Sequence, residues 1–385
     1  MTLAAVIAEI EKLYFDIDLD AVAAWKARTH QKAIGTLPVY VPREIVTAAE
    51  MLPVGLMGAG AQIEIIRGDA YFQSYICQLP RSTIELALTK RLAVLDGFLF
   101  PSTCDVIRNL SGMWQLLFPD TFVRYLDLPQ ASGAVAARYH RRDLEKLARE
   151  LGDLSGHPVT NASLASAIAR HNKNRAVLDR IYELRAKAPW TFPTREVYLL
   201  LRAANLLDVD DHTRLVERYI AAATRENRPV RDHTRVVVVG AFCEQPPLEL
   251  IQTLEAAGCY IVDDDWVLGP RWLQGPVAPG ADALQALANA YLAQSVASPL
   301  KFEPGIRKGD ALVETVRARR AEGVIFCAPS FCDPALLEQP MLEAALARAG
   351  IPSTAFKYAE NLGQFQVIRE QAGTFSDSIR LWGAA

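Results

Sequence analysis

No run of about 18 uncharged apolar residues occurs in this 385-residue sequence, so a membrane-spanning helix is not expected. The N-terminus, where Glu9, Glu11 and Lys12 follow closely on Met1, lacks a basic segment leading into an apolar one. That predicts no secretory leader and a cytosolic location. Neither sign of charge is in excess: 41 Lys and Arg against 44 Asp and Glu leave a net charge of −3. This excludes a nucleic-acid binder that works through a broad basic field. A G-x-x-x-x-G-K-[ST] phosphate loop is missing, so any ATP chemistry belongs to a partner. Structural zinc usually takes four Cys or His ligands; the one C-x₂₋₄-C spacing, Cys327 to Cys332, has no second pair to join it, which makes zinc a poor fit, and the six histidines include no i, i+4 pair that points to a metal.

What is present is apolar and patterned. Half of the chain (51%) is hydrophobic, and its length suits two or three domains. Residues 1–35 read as helical, with Ile7, Ile10, Leu13 and Tyr14 at helical spacing. Short β-branched runs follow at residues 37–41, 52–57, 97–100 and 122–126, with a helical pattern at 82–95 between them. Residues 138–225 lose the β-branched runs and read as connecting helices, broken near 152–158 and 189–193. Strand signals return at 235–242, 259–263, 323–326 and 353–356, alternating with helical patterns at 248–257, 311–321 and 334–349. Continuous apolar strands alternating with helices predict an α/β protein with two parallel-sheet lobes, helices on both faces and a helical segment between. The expected division is an N-terminal helical segment (1–35), a first lobe (36–137), a connecting segment (138–230) and a second lobe (231–385).

The two lobes share an internal repeat. Gly97-Phe98-Leu99-Phe100-Pro101-Ser102-Thr103-Cys104-Asp105 matches Gly323-Val324-Ile325-Phe326 and, after two more residues, Pro329-Ser330-Phe331-Cys332-Asp333. Upstream, Pro42-Arg43-Glu44-Ile45-Val46 echoes Pro247-Leu248-Glu249-Leu250-Ile251.

Each long match places a Cys-Asp pair just after an apolar strand, at the carboxyl edge where open α/β sheets bind ligands. Asp333-Pro334 makes a good helix start, with Asp as the cap and Pro at the first position. Cys77 has a similar setting, after Tyr75-Ile76 and before Pro80. A helix N-terminus favours a thiolate, the form that metals bind. Cys77 and Cys104 from one lobe and Cys332 from the other would meet in the inter-lobe cleft. Three separated thiolates suit an iron–sulfur cubane with one iron left open. The competing reading makes them small buried hydrophobes. Cys259 and Cys327 read as core, and Cys243 sits at the edge of the Val-rich strand.

The segments Val41-Pro42-Arg43-Glu44-Ile45, Cys77 before a helix, Pro101-Ser102-Thr103-Cys104-Asp105 and Phe331-Cys332-Asp333-Pro334 resemble the 2-hydroxyacyl-CoA dehydratase / benzoyl-CoA reductase family. So do Asn172-Lys173-Asn174-Arg175 and Glu183-Leu184-Arg185, and the resemblance spans nearly the whole chain. Within that family the wording and length are most like the gamma-type subunit of ATP-dependent benzoyl-CoA reductase. The resemblance implies a [4Fe–4S] cluster on Cys77, Cys104 and Cys332, serving as both cofactor site and metal site. It also implies a homologous cluster-binding subunit, ATP-hydrolysing iron–sulfur activator subunits, reduced ferredoxin as electron donor and an aromatic acyl-CoA substrate, with no nucleic acid and no membrane. The implied reaction is ATP-driven two-electron reduction of benzoyl-CoA to a cyclohexadiene carboxyl-CoA, as in anaerobic breakdown of aromatics. An (R)-2-hydroxyacyl-CoA dehydratase subunit is the alternative reading, and a non-enzymatic two-lobed binding protein is a second.

Other residues carry paired readings. Glu44 and Glu50, expected near the ligand edge of the first sheet, are either proton relays or carboxylates stabilised by a helix dipole. Arg138, His140, Arg141 and Arg142 form either a CoA-phosphate contact or a solvated helix face. Arg81 either tunes the cluster's charge or lies on a plain helix surface. The glycines at 55–60 and Gly363 read as turn or packing residues, and Phe375 and Trp382 as core.

Overall fold

The strands form where apolar residues run without a polar break. In β3 (Gly97–Pro101) and β7 (Gly323–Pro329) every residue is buried, as a strand covered on both faces requires. The structure is a computed structural model describing residues 2–130, 133–240, 245–299, 305, 307–359 and 365–382, without the side chains of Ala61 and Trp382. Cys243 and Gly363 lie outside the described residues.

Helices α1 (Leu3–Tyr14) and α2 (Asp20–Thr29) lead into β1 (Ala33–Thr36), α3 (Arg43–Ala48), β2 (Leu52–Gly55), α4 (Gln78–Leu88), β3, α5 (Asp105–Leu117) and β4 (Phe122–Leu126). Four helices follow: α6 (Ala134–Ser155), α7 (Asn161–Lys187), α8 (Thr194–Ala203) and α9 (Val209–Ala223). Next come β5 (Thr234–Val239), α10 (Leu248–Ala256), β6 (Cys259–Asp264), α11 (Ala283–Ala293), α12 (Asp310–Ala318), β7, α13 (Asp333–Arg348), β8 (Ser353–Tyr358) and α14 (Phe365–Trp382).

The two four-stranded sheets have matching orders, β2-β1-β3-β4 and β6-β5-β7-β8, with every pairing parallel. The repeat in the sequence is therefore a repeat in topology. Its Pro-Ser step has a mechanical role, since the Ser102 N–H donates to Leu126 O at 2.8 Å and the Ser330 N–H to Tyr358 O at 2.9 Å. In each lobe the chain leaving the central strand is thus tied to the edge strand.

Residues 37–41 do not form the expected strand. Pairing ends at Thr36, and Leu37 before Pro38, then Val39, Tyr40 and Val41 between Pro38 and Pro42, are buried loop residues. They are apolar because the loop is covered on all sides, and prolines cannot donate to a ladder. The first strand consequently starts at Ala33, inside the segment expected to be helical.

Helix α7 is tied to both lobes by buried charge. Arg175 Nη1 donates to Glu44 Oε1 at 2.6 Å on the first-lobe side. Ten residues further along the helix, Arg185 Nη2 donates to Asp264 Oδ2 at 2.7 Å at the end of β6. Tyr182 lies between Arg185 and Arg271, its ring centroid 4.2 Å from one guanidinium and 3.5 Å from the other. Its hydroxyl donates to Asp264 Oδ1 at 3.0 Å. The Asn172–Arg175 and Glu183–Arg185 segments thus contribute to these ties. Phe375 packs in the core beside β5–β7, as expected of it.

Candidate functional site

The three candidate cysteines each occupy the N-cap position of a helix: Cys77 before α4, Cys104 before α5 and Cys332 before α13. In α13 the cap falls one residue earlier than expected, with Asp333 already helical and proline in the first turn. Cys332 is 3% exposed and belongs to an apolar cluster that also holds Val39 and Tyr40 of the first lobe and Trp272 of the second, so the cluster spans both lobes. Cys104 is half-buried and senses the Cys332 thiol electrostatically, which puts these two, from opposite lobes, within electrostatic range of each other. Cys77 is also half-buried, and its helix α4 packs against α5.

The Cys104 thiol does not behave as the helix-start argument predicts. Burial pushes its pKa up, the backbone N–H groups of Ile107 and Val106 pull it down, and the neighbouring Cys332 and Asp105 raise it again. The net direction is up, because the desolvation of a thiolate outweighs two backbone donors at an otherwise uncompensated site. A cationic metal group would reverse that balance.

Around Cys104 the loop is fixed by hydroxyls. Thr103 Oγ1 donates to Pro38 O at 2.6 Å, and Tyr40 shares a hydrogen bond with Ser102. The Tyr40 ring stacks on Trp272 with centroids 5.5 Å apart. Burial raises the Tyr40 pKa, and the Ser102 hydroxyl partly opposes this, so its phenol stays protonated. Tyr40 and Trp272 were not singled out by sequence reasoning. Ser102 was readable from its match with Ser330.

Glu44 lies in the first turn of α3 but points into the protein at 2% exposure, paired with Arg175. Burial favours its neutral form, yet Arg175 and His171 overcome this and hold its pKa below the usual carboxylate range. Glu50 corrects an expectation. It follows α3 and precedes β2, so it lies at the amino edge of the sheet, facing His157 Nδ1 at 3.5 Å. The six-residue helix α3 has carried the chain back across the sheet by that point.

The basic cluster on α6 does not act as one surface. Arg138 and Arg142 are exposed, Arg141 pairs with Asp282 at 2.9 Å, and His140 is buried against Tyr291. Arg81 pairs with Asp69 at 2.7 Å and reaches the Ile76 carbonyl beside Cys77. Cys259 and Cys327 are fully buried, and burial lifts the Cys259 thiol to about 12, as suits inert core residues. At Gly55 a side chain would collide with Asn205, and Gly58 adopts a left-handed φ of +67° above Ser82, so both serve packing and turning.

Among the described residues, no three His, Cys, Asp or Glu side chains converge tightly enough to grip a single metal ion. A cubane takes its thiolates at separate corners and needs a wider set. None of the five described cysteines is in a disulfide. Soft sulfur donors at three helix starts, two of them within electrostatic range across the lobes, fit an iron–sulfur group. Among the described residues no helix is long and apolar enough to cross a membrane.

The chain is 50% identical over 385 residues to the C-type subunit of benzoyl-CoA reductase from Thauera aromatica, covering 99% of this chain and 100% of the relative. The sequence suggested a gamma-type subunit, whereas this relative is the C-type one. Identity to the (R)-2-hydroxyglutaryl-CoA dehydratase beta subunit of Acidaminococcus fermentans is 29%, over 86% of this chain and 88% of the relative. For the (R)-phenyllactyl-CoA dehydratase beta subunit of Clostridium sporogenes it is 27%, over 91% and 93%. Residues 38–379 match the model of the 2-hydroxyglutaryl-CoA dehydratase D-component, and the chain is an enzyme subunit belonging to that family.

Proposed function

We propose that this chain is a cluster-binding subunit of a benzoyl-CoA reductase, with Cys77, Cys104 and Cys332 as the ligands of a [4Fe–4S] cluster. The observation that carries the reading is that Cys104 and Cys332, equivalent cap residues of two repeated lobes, lie within electrostatic range of each other, in a chain half identical to a reductase subunit. When bound, such a cluster supplies single electrons at a potential set by charge, hydrogen bonds and exposure. The protein's own contribution is to desolvate that centre. Cys332 is buried, Tyr40 stays protonated beside it, and Thr103 and Ser102 hold the Cys104 loop in place. The substrate is an aromatic acyl-CoA, reduced by two electrons to a cyclohexadiene carboxyl-CoA. Electrons come from reduced ferredoxin through ATP-hydrolysing partner subunits, beside a homologous cluster-bearing partner.

The beta subunits of two dehydratases among the relatives favour a second reading, in which the same centre serves (R)-2-hydroxyacyl-CoA dehydration. Anaerobic co-purification with iron counting, followed by turnover of benzoyl-CoA, separates the cases. Reduction consumes ATP and electrons at every turnover, whereas dehydration needs them only to start. Colourless, iron-free protein from an iron-replete preparation would overturn both readings.

A further inference from the structure

Away from the cysteines, a cavity of about 20 Å³ opens between the loop after β1 and helix α7. It has room for one guest of about the size of a water molecule. We propose that this cavity is a binding site for one small inorganic anion, chloride or its equivalent, held by the guanidinium groups of Arg43 and Arg175.

The charge on its walls is unbalanced. Glu44 is the one carboxylate on the cavity wall, and its Oε1 accepts from Arg175 Nη1 at 2.6 Å; Asp179, a turn further along α7, also attracts Arg175 but is drawn more strongly to Arg271. The two histidines of the lining add nothing, since burial lowers both His171 and His212 to about 4 and leaves them neutral at ordinary pH. Asp208 attracts Arg43 from further off, but both its oxygens are taken by Arg170 at 2.9 Å. Asp210, the other partner of Arg170, has a side chain that is 40% exposed and is screened by water.

The hydrogen-bond count points the same way. Arg175 Nη2 donates to Asn172 Oδ1 at 2.6 Å, and Arg43 Nη2 donates to Ala204 O and Pro53 O. The Nε atoms of both arginines are buried with no acceptor. The acceptors nearby are occupied: His212 Nδ1 accepts from Asn174 at 2.8 Å, and Val41 O accepts from Tyr291 at 3.0 Å. The guest must therefore accept and need not donate. A halide meets that condition, whereas a water molecule brings two hydrogens that need acceptors. Such an ion would tie α3 to α7 at a point where their direct contacts leave two donors unmet.

The test uses the full chain. Protein freed of chloride is titrated with sodium chloride or sodium bromide against sodium gluconate at matched ionic strength, and thermal unfolding is followed. The expected result is a saturable rise of a few degrees in the midpoint with either halide and none with gluconate. In the Arg175→Met variant the halide and gluconate curves should coincide. Crystals grown in bromide should show an anomalous peak within hydrogen-bonding distance of both Nε atoms. A water-like peak with no anomalous signal, or the same midpoint in all three salts, overturns the proposal. Should Arg175→Met fail to fold, the wild-type titration and the bromide crystal still decide.

Discussion

Arg185 and Asp264 meet at 2.7 Å with side chains only 1% and 2% exposed, linking the long connecting helix to the last residue of β6. Removing one partner of such a pair leaves the other as a buried, uncompensated charge. Asp264→Asn or Arg185→Met should therefore cost about 3–5 kcal/mol of folding stability. Chemical denaturation of both variants checks this. A loss below about 1 kcal/mol would mean that the pair is replaceable by packing.

The cysteines should divide by position. Cys104→Ser and Cys332→Ser are expected to lose bound iron and activity together in anaerobically purified protein. Cys259→Ser, at a fully buried strand position, should keep both. Equal iron loss in all three variants would sink the ligand assignment.

Acid should unfold the protein through buried imidazoles. Burial lowers His140, His171 and His212 from 6.5 to about 4. The unfolded chain therefore binds protons that the folded chain refuses as pH falls below 6.5. Each histidine then supports stability that is fully present above pH 6.5 and is lost on the way down to pH 4, up to ~3 kcal/mol apiece. His140 is the cleanest probe, because neither of its ring nitrogens has a partner. His140→Phe should make the acid limb of the stability curve shallower by about one proton. An unchanged slope between pH 6.5 and 4 would show that His140 titrates normally.

Glycine also offers a test. Gly112 is exposed within α5, and a methyl group there would meet nothing within 4 Å. Gly112→Ala should stabilise by about 0.5–1 kcal/mol, because alanine spends less backbone entropy in a helix. At Gly97, by contrast, a Cβ would sit 3.0 Å from the Phe122 carbonyl oxygen, so Gly97→Ala should destabilise. Finding the two effects reversed in thermal melts would contradict this packing.

The sheets were legible because parallel strands buried on both faces are written as unbroken apolar runs. Residues 97–100 and 323–326 could hardly be read otherwise, and their matching flanks disclosed the duplication. The loop at 37–41 misled for the same reason, since burial makes a loop as apolar as a strand. The positions of Cys104 and Cys332 followed from strand-then-helix order, whereas Cys77 precedes a helix with no strand at residues 75–76, and the thiol energetics were not legible at all. Whether a helix start or desolvation wins at Cys104 depends on neighbours that only the fold supplies, among them Cys332 from the opposite lobe. Glu44 shows the deeper limit. Its partner Arg175 is 131 residues away, so no local pattern could announce that this carboxylate is clamped inside the protein. Glu50 failed more simply, through a short helix whose length decides which edge of the sheet the next residue reaches.

The seating of Cys332 in a cluster that spans both lobes has a mechanical outcome. Spreading the halves would drag that residue out of an oily socket and into water, so the resting crevice is latched. A polar residue at this one seat would loosen the grip between the halves without touching either sheet.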